Sequence, residues 1–349
     1  MKKILTAIVT FAICLGTVFT TSCSKKNERV VYLYNWTYYT PDDVIREFEK
    51  EFDCTVKVDS YASNEEMYSK LKAGASGYDI VVPSQDYTSI MIKQGMLREI
   101  DQSRMTNKSH INPLVLEKAT YDPEMKYAVP YYFGAAGIAV NKTKVSGNYE
   151  RTWNIFADKQ FAGHATMMDD MREVMGDALA HLGYSINTLD DKELDQAHKL
   201  ISNNWKQNLV KFDAEGFGKS FASGDFWLCQ GYAEVDYSEV PEDKWEETID
   251  FFIPEEGGPS YLDSMCILKG AKNYELANEF INFIHRPEIY AKFLDYFHFP
   301  ALVNLDAKQY MTTKAMYEPE QMNNCTLKDD LGEGIDKYNE RWQEIRFTD

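Results

Sequence analysis

The sequence predicts an α/β fold with two lobes, and two observations support this prediction. Apolar runs alternate with amphipathic helical patterns over about seventy residues from Val30, which is typical of a parallel α/β unit. A second alternation extends from residue 141 to residue 240, after a long extended run that contains glycine and alanine. Two α/β units joined by extended crossings imply a hinged protein that closes over a ligand in the cleft between its lobes.

The first unit opens with a strand, an aromatic loop and a helix. The strand is expected over residues 30–34, and the helix begins near Thr40 as N-cap, with Pro41 at its first position. The loop between them carries three rings and consists of Asn35, Trp36, Thr37, Tyr38 and Tyr39. Ligands of open α/β sheets bind beyond the carboxyl ends of the strands, so this loop is a candidate binding surface. Its rings could instead pack against the helix.

The following elements continue the pattern. A capping box of Ser63 and Glu66 predicts the start of a second helix, and residues 78–82 predict a strand that ends at Pro83. A strand over 261–268 would return the chain to the first lobe. The tail from residue 313 is polar and is expected to be mostly helical.

The N-terminus has the features of an export signal. Lys2 and Lys3 precede an apolar run, and small residues lead to Cys23. The segment before Cys23 is similar to a relaxed lipoprotein signal, so we expect a lipidated Cys23 and a protein held at the membrane in the periplasmic space. The alternatives are soluble release into the periplasm and a retained membrane anchor.

These patterns divide the chain into four parts. They are a signal peptide at 1–22, a lipidated N-terminus and tether at 23–28, a first lobe at 29–134 plus 257–305, and a second lobe at 135–256 plus 306–349.

Composition limits the ligand class. The chain of 349 residues has a formal net charge of −18, which becomes −20 when Lys2 and Lys3 leave with the signal. Such a charge argues against nucleic acid and polyanionic ligands and is compatible with a cationic one. The cysteines and the six histidines show no metal-ligand spacing, so neither a metal site nor a cofactor is expected.

Acidic residues are the strongest candidates for chemistry. Asp169, Asp170 and Glu173 cluster at a strand-to-helix junction, where they could bind a ligand or only favour the helix dipole. Asp263 interrupts an otherwise apolar strand, and a buried carboxylate needs a partner, either a bound cation or backbone amides. A glycosidase pair would also use two acids. No nucleophile or phosphate-loop motif is present, so an enzyme is the weaker hypothesis.

Acids and aromatic rings at strand ends suit a flexible polyamine. Carboxylates pair with its ammonium groups, and rings cover its methylenes with cation–π attraction of about 0.5–2 kcal/mol per contact. Sugar, iron or amino-acid binding remains the alternative in a cleft of this kind. For iron, the adjacent Tyr131 and Tyr132 lack a nearby histidine in the sequence.

Five segments of this sequence match one family of binding proteins in order. They read Tyr34-Asn35-Trp36-Thr37-x-Tyr39, Ser63-Asn64-Glu65-x-Met67-Tyr68, Tyr78-Asp79-x-Val81-Val82-Pro83-Ser84, Asp169-Asp170-x-Arg172-Glu173-Val174 and Leu262-Asp263-Ser264. With them the chain resembles the periplasmic spermidine/putrescine-binding proteins of polyamine ABC transporters. The resemblance implies a type II periplasmic binding protein fold, capture of putrescine or spermidine without catalysis, and delivery by a monomer to a membrane permease. A polyamine-sensing receptor would use the same cleft.

The resemblance also implies a set of ligand contacts. Rings and polar groups from the first lobe would be Trp36, Thr37, Tyr39, Ser84 and Tyr261. The amines would be bound by Asp170 and Glu173 from the second lobe and by Asp263 from the first.

Four expected contacts depart from the family pattern. They are Asp86 at a common aromatic position, Gln230 near a usual tryptophan, Phe299 at a frequent tyrosine, and Lys328 at a glutamine. A lysine in the cleft would repel a ligand amine or take its place. This favours putrescine, with two amines, over spermidine, with three.

Overall fold

The computed structural model describes residues 29–37, 39–214 and 216–347. Within them the strands are β1 (Val30–Trp36), β2 (Thr55–Tyr61), β3 (Ile80–Val81), β4 (Leu97–Arg98), β5 (Ala128–Ala135), β6 (Gly137–Asn141), β7 (Ala165–Met167), β8 (Leu209–Phe212), β9 (Leu228–Gly231), β10 (Ile249–Phe252), β11 (Pro259–Leu268) and β12 (Thr326–Leu327). The expected signal peptide, Cys23 and tether lie outside the described residues.

The helices of the described residues surround these strands. They are α1 (Asp42–Phe52), α2 (Asn64–Lys72), α3 (Gln85–Lys93), α4 (Pro113–Lys118), α5 (Met171–His181), α6 (Asp191–Leu200), α7 (Phe217–Ser223), α8 (Ala233–Ser238), α9 (Trp245–Thr248), α10 (Tyr274–Ile284), α11 (Pro287–Phe297) and α12 (Ile335–Phe347).

The strands form two sheets, one in each lobe. The first has seven strands in the order β12-β11-β3-β1-β2, with β4 and β5 paired to β11. The second has five strands in the order β10-β6-β9-β7-β8. Strand β1 is parallel to both β2 and β3, as the alternation of strands and helices predicts. The predicted α/β fold with two lobes is therefore confirmed.

Apolar packing joins the two lobes near the crossings. One core cluster includes Leu33, Phe48 and Phe293 of the first lobe and continues to Phe217 and Phe251 of the second. A separate cluster fills the second lobe between its sheet and the helices α5, α6 and α12, and it contains Val174, Trp153, Phe156, Trp205 and Trp342. The two lobes thus share a continuous apolar base beneath the cleft.

Three chain segments cross between the lobes. Residue 136 links β5 to β6, residues 253–258 link β10 to β11, and residues 328–334 link β12 to α12. The first two crossings and the return of the chain through β11 agree with the sequence prediction. We call residues 328–334 the third crossing.

The third crossing lies later in the chain than the expected lobe boundary near residue 305. Strand β12 extends the first sheet by pairing with β11, and Tyr317 and Met322 lie in the core that begins in the first lobe. Only α12 packs on α5 and α6 of the second lobe. The expected helical tail is wrong before residue 335, because its scattered apolar residues are buried by short 3₁₀ turns rather than by one amphipathic helix.

The local predictions at helix starts have mixed outcomes. Ser63 Oγ accepts a hydrogen bond from Glu66 N at 3.1 Å, which confirms the predicted N-cap. Thr40 does not cap α1, since its Oγ1 accepts from Asn35 Nδ2 at 3.0 Å and Pro41 takes the N-cap position. A side chain expected to start a helix instead fixes the aromatic loop.

The described cysteines are all free thiols, with Cys54 partly buried and Cys229, Cys266 and Cys325 buried. Among the described helices none has the length and hydropathy needed to cross a bilayer.

Candidate functional site

A cleft of about 850 Å³ lies between the two lobes and is lined by both of them and by the third crossing. Eight of the twelve predicted ligand-binding residues line it: Trp36, Tyr39, Ser84, Asp86, Asp170, Tyr261, Asp263 and Lys328. They come from the ends of β1 and β3, the start of α5, the strand β11 and the third crossing. The topology therefore collects most of the predicted residues in one cavity, as the rule for open α/β sheets requires.

Asp263 is the buried carboxylate at the base of the first-lobe side. It is only 5% exposed, and its two oxygens accept hydrogen bonds from Ser84 Oγ at 2.6 Å and from Tyr39 OH at 2.8 Å. The pairing of β11 with β5 shifts register between Asp263 and Ser264, an irregularity of the kind that redirects side chains. Burial raises the pKa of Asp263 to about 6, although the bonds from Ser84 and Tyr39 oppose the shift.

Aromatic side chains form the walls beside Asp263. Trp36 donates through Nε1 to Val82 O at 2.9 Å, and its ring lies 4.9 Å from that of Tyr61. The Tyr39 backbone carbonyl accepts from Tyr131 OH at 2.7 Å. These bonds hold the rings of the loop in place before any ligand arrives, which lowers the entropy lost on binding.

Asp170 begins the second-lobe side of the cleft. It is the N-cap of α5, where its Oδ1 accepts from the backbone N–H groups of Arg172 at 2.8 Å and of Glu173 at 3.0 Å. The sequence allowed this acid either to bind a ligand or to stabilise the helix start. Its position is compatible with both roles, because the residue caps a helix and also lines the cleft.

Glu173 lies behind the residues that line the cleft. It is fully buried, and its Oε1 accepts hydrogen bonds from the Lys328 ammonium and from Tyr232 OH, the latter at 3.1 Å. Burial raises the pKa of the Glu173 carboxyl, and the Lys328 ammonium opposes that shift. Glu173 does not line the cleft. Of the two partners in this ion pair, Lys328 is the one that lines it.

Three other predicted contacts do not line the cleft. Gln230 is fully buried and its Oε1 accepts from Met168 N at 2.7 Å. Phe299 stacks on Tyr132 with ring centroids 3.9 Å apart. Thr37 is exposed outside the lining. In this structure the first two side chains support the cleft from below, and their contact with a ligand stays a prediction.

Sequence reasoning missed two residues that line the cleft, namely Tyr232, the N-cap of α8, and Glu234 in the first turn of that helix. The Tyr232 ring contacts the Tyr261 ring edge-on at 5.5 Å and supplies an aromatic wall near the position where Gln230 was expected. Burial raises the pKa of Glu234 to about 7. Both residues directly follow β9, so the rule that selected the other strand ends would also have found them.

Glu234 differs from the other acids of the cleft because it has no hydrogen bond or ion pair to another residue within the described ranges. It shares the cleft lining with Tyr232 and Tyr261, and the Asp263 carboxylate also raises its pKa. A carboxylate in such surroundings is stabilised when a cation binds.

Metal chemistry finds no support among the described residues, where no group of three His, Cys, Asp or Glu side chains could hold an ion. Tyr131 and Tyr132 are both buried, and their hydroxyl groups bond to protein atoms rather than to the cleft.

Comparison with known proteins identifies the family. Residues 43–321 match the family described as bacterial extracellular solute-binding proteins. The chain belongs to this family. The predicted fold and the prediction of solute capture without catalysis are confirmed by this membership.

Individual relatives sharpen the resemblance. The spermidine/putrescine-binding periplasmic protein of Escherichia coli is 33% identical over 330 residues, which cover 92% of each chain. The putrescine/cadaverine-binding protein of Pseudomonas aeruginosa is 32% identical over 81% of this chain and 80% of the relative. The crystal structure of the TpPotD lipoprotein of Treponema pallidum is 51% identical, with a TM-score of 0.87 over 91% of this chain and 99% of that one. The predicted resemblance to polyamine-binding proteins of ABC transporters is therefore confirmed.

Proposed function

We propose that this solute-binding protein captures putrescine or spermidine in the cleft between its lobes and delivers it to the permease of a polyamine ABC transporter. The observation that carries the proposal is Asp263, a buried carboxylate held by neutral hydroxyl donors and flanked by aromatic rings. No described cation donates a hydrogen bond to it. An ammonium group supplies the missing charge, and its methylenes pack on the rings.

The remaining acids of the cleft fit a second ammonium. Asp86, Asp170 and Glu234 line the same cavity as Asp263. Burial raises the pKa of Asp86, and the Lys328 ammonium opposes the shift. Several carboxylates in one cavity repel each other, and a bound dication relieves this repulsion as well as forming direct pairs.

A thermal-shift screen followed by calorimetry tests the proposal. Putrescine, cadaverine, spermidine and spermine should raise the melting temperature of the purified protein, because a ligand that binds only the folded form stabilises it. Maltose, glutamate and ferric citrate serve as matched sugar, amino-acid and iron controls. A shift with any control and none with the polyamines would overturn the proposal.

Membrane attachment through Cys23 is part of the same proposal. A lipid on this residue would hold the protein near its permease, and the related TpPotD is described as a lipoprotein. Expression in the presence of labelled palmitate should place the label on the wild-type chain and in the membrane fraction. The Cys23→Ser variant should lose the label, and an equally labelled variant would contradict the assignment of this residue.

A further inference from the structure

Lys328 is a cationic side chain inside a cleft proposed to bind cations. It lines the cavity, its side chain is 15% exposed, and its ammonium pairs with the fully buried Glu173. The Tyr232 hydroxyl donates a hydrogen bond to the same carboxylate oxygen of Glu173. The contact has the elements of a ligand subsite, namely an ammonium, a carboxylate and an aromatic ring, but the protein provides all three.

The backbone of Lys328 is attached to the first lobe. Its carbonyl accepts from Gln85 Nε2 at 2.8 Å, and its N–H donates to Ser260 O at 3.2 Å. The Gln85 Oε1 in turn accepts from Leu262 N at 2.9 Å. Because Gln85 is buried, these bonds fix the position at which the lysine side chain leaves the third crossing.

The neighbours of Lys328 are attached to the second lobe. Asn187 donates through Nδ2 to Leu327 O at 2.8 Å and accepts through Oδ1 from Asp329 N at 3.0 Å. The lysine is therefore held between two lobes by the residues on both sides of it. A side chain mounted in this way is a preorganised ammonium and not a mobile surface charge.

The charge of Lys328 is stable in this position. Burial alone would lower the pKa of Lys328, but the carboxylates of Glu173 and Asp170 raise it above its ordinary value. A ligand ammonium that approached Glu173 would meet the like charge of Lys328. The Glu173 carboxylate already has a partner in the Lys328 ammonium.

We propose that the Lys328 ammonium permanently fills one amine position of the cleft at Glu173, so that the site selects diamines over triamines. This inference depends on the proposed polyamine function. A diamine places its two charges among the acids that line the cleft and form no ion pair within the described ranges, which include Asp86, Asp170, Glu234 and Asp263. A triamine would have to leave its third ammonium beside Lys328 or displace an ion pair that is part of the fold, and both are unfavourable.

Calorimetry with putrescine and spermidine on the wild-type protein and on Lys328→Ala tests the proposal. The wild type should bind putrescine at least about tenfold more tightly than spermidine. The Lys328→Ala protein should gain at least about tenfold in spermidine affinity relative to putrescine, because it offers both the space and the free Glu173 carboxylate. An unchanged ratio would overturn the inference.

Two further variants separate the effect of the free Glu173 carboxylate from the general effect of removing a lysine charge. Lys328→Ala combined with Glu173→Gln should lose the gain for spermidine, since the vacated space then lacks a carboxylate. Lys244→Ala removes the same charge from a lysine that is 54% exposed and paired with Glu247, outside the cleft lining, and it should leave the ratio unchanged. A ratio shift in Lys244→Ala equal to that in Lys328→Ala would contradict a specific role for Lys328.

The outcomes distinguish this inference from the function on which it depends. If the wild type binds no polyamine, the proposed function fails. If it binds spermidine as tightly as putrescine, only the inference fails. Should Lys328→Ala not fold, Lys328→Met keeps most of the buried volume and removes the charge, and its ratio of spermidine to putrescine affinity decides in the same way.

Discussion

Each side of the cleft has a buried acid, but the two acids differ in whether a protein cation is bonded to them. On the first-lobe side, Asp263 is held by the neutral hydroxyls of Ser84 and Tyr39 and keeps its charge uncompensated. On the second-lobe side, Glu173 is compensated by Lys328. The difference shows that an acid near a ligand cleft is available to a cation only if the protein has not already provided one.

The largest expected effect comes from the uncompensated side. Asp263→Asn keeps the shape and removes the charge, so putrescine affinity should fall by about 2–5 kcal/mol, partly because the ligand ammonium is left unpaired. Calorimetry measures the loss. Asp42→Asn, an exposed acid in the first turn of α1, is the control and should bind as the wild type does. Equal losses in both variants would mean that general charge, not this contact, attracts the ligand.

The next effect concerns the aromatic wall. Trp36→Ala removes a ring that lines the cleft, and we expect a loss of about 2 kcal/mol in putrescine affinity from missing apolar and cation–π contact. Trp227→Ala is a control, since this indole stacks on His164 away from the cleft lining. The two dissociation constants should differ by more than tenfold, and similar values would remove Trp36 from the site.

A moderate effect is expected from pH. The raised pKa values of Asp263, about 6, and Glu234, about 7, mean that both free acids gain protons as the pH falls from 8 to 5. Since a polyamine needs their charged forms, affinity should fall between pH 8 and pH 5 by about tenfold through Asp263 and by up to about a hundredfold through Glu234. Calorimetry at pH 8 and pH 5 gives the slope of polyamine affinity against pH. Glu234→Gln should flatten it between pH 8 and pH 6, whereas an unchanged slope would exclude Glu234 as a cation ligand.

The same raised pKa predicts the opposite trend for the free protein. A carboxyl whose folded pKa is higher than its unfolded pKa binds more protons in the folded state, so it stabilises the fold as the pH falls from above 6 towards 4. The difference in unfolding free energy between the wild type and Asp263→Asn should therefore change in favour of the wild type across this window. Urea unfolding at several pH values measures it, and a constant difference would contradict the raised pKa.

The smallest effect is expected outside the cleft lining. Thr37 is exposed, and its Oγ1 lies 3.4 Å from Tyr61 O, which is a weak hydrogen bond. Thr37→Val should change putrescine affinity by less than about 0.5 kcal/mol. A loss above tenfold would restore the sequence prediction that Thr37 contacts the ligand.

Much of the fold could be predicted because its signals are local. The alternation from Val30 onward predicted the parallel unit, and the strand expected over residues 261–268 lies within β11. Asp263 could be selected because a carboxylate in an apolar strand must have a partner. Strand β12 could not be predicted, because two residues carry no periodic pattern and their pairing with β11 is long-range.

The arrangement within the site was harder to predict. The pair of Lys328 and Glu173 joins residues 155 positions apart, and neither residue type signals whether its charge faces a ligand or another side chain. Gln230 and Phe299 lie close to the cleft but support other residues, which depends on packing depth and not on sequence order. The end of β9 points to the part of the cleft that holds Glu234, but α8 has only six residues, and its weak helical pattern does not place this acid in a first turn.

The three crossings determine how this protein can move. Two lobes connected by a single strand could both swing and twist, whereas connections at residue 136, at 253–258 and at 328–334 restrict twisting and favour bending about the crossings. Lys328 lies at one of these connections, so we expect its ammonium to move little when the lobes bend. The open and closed protein would then present the same fixed charge to an arriving solute, and selection by charge number would begin at the first encounter, before the cleft closes.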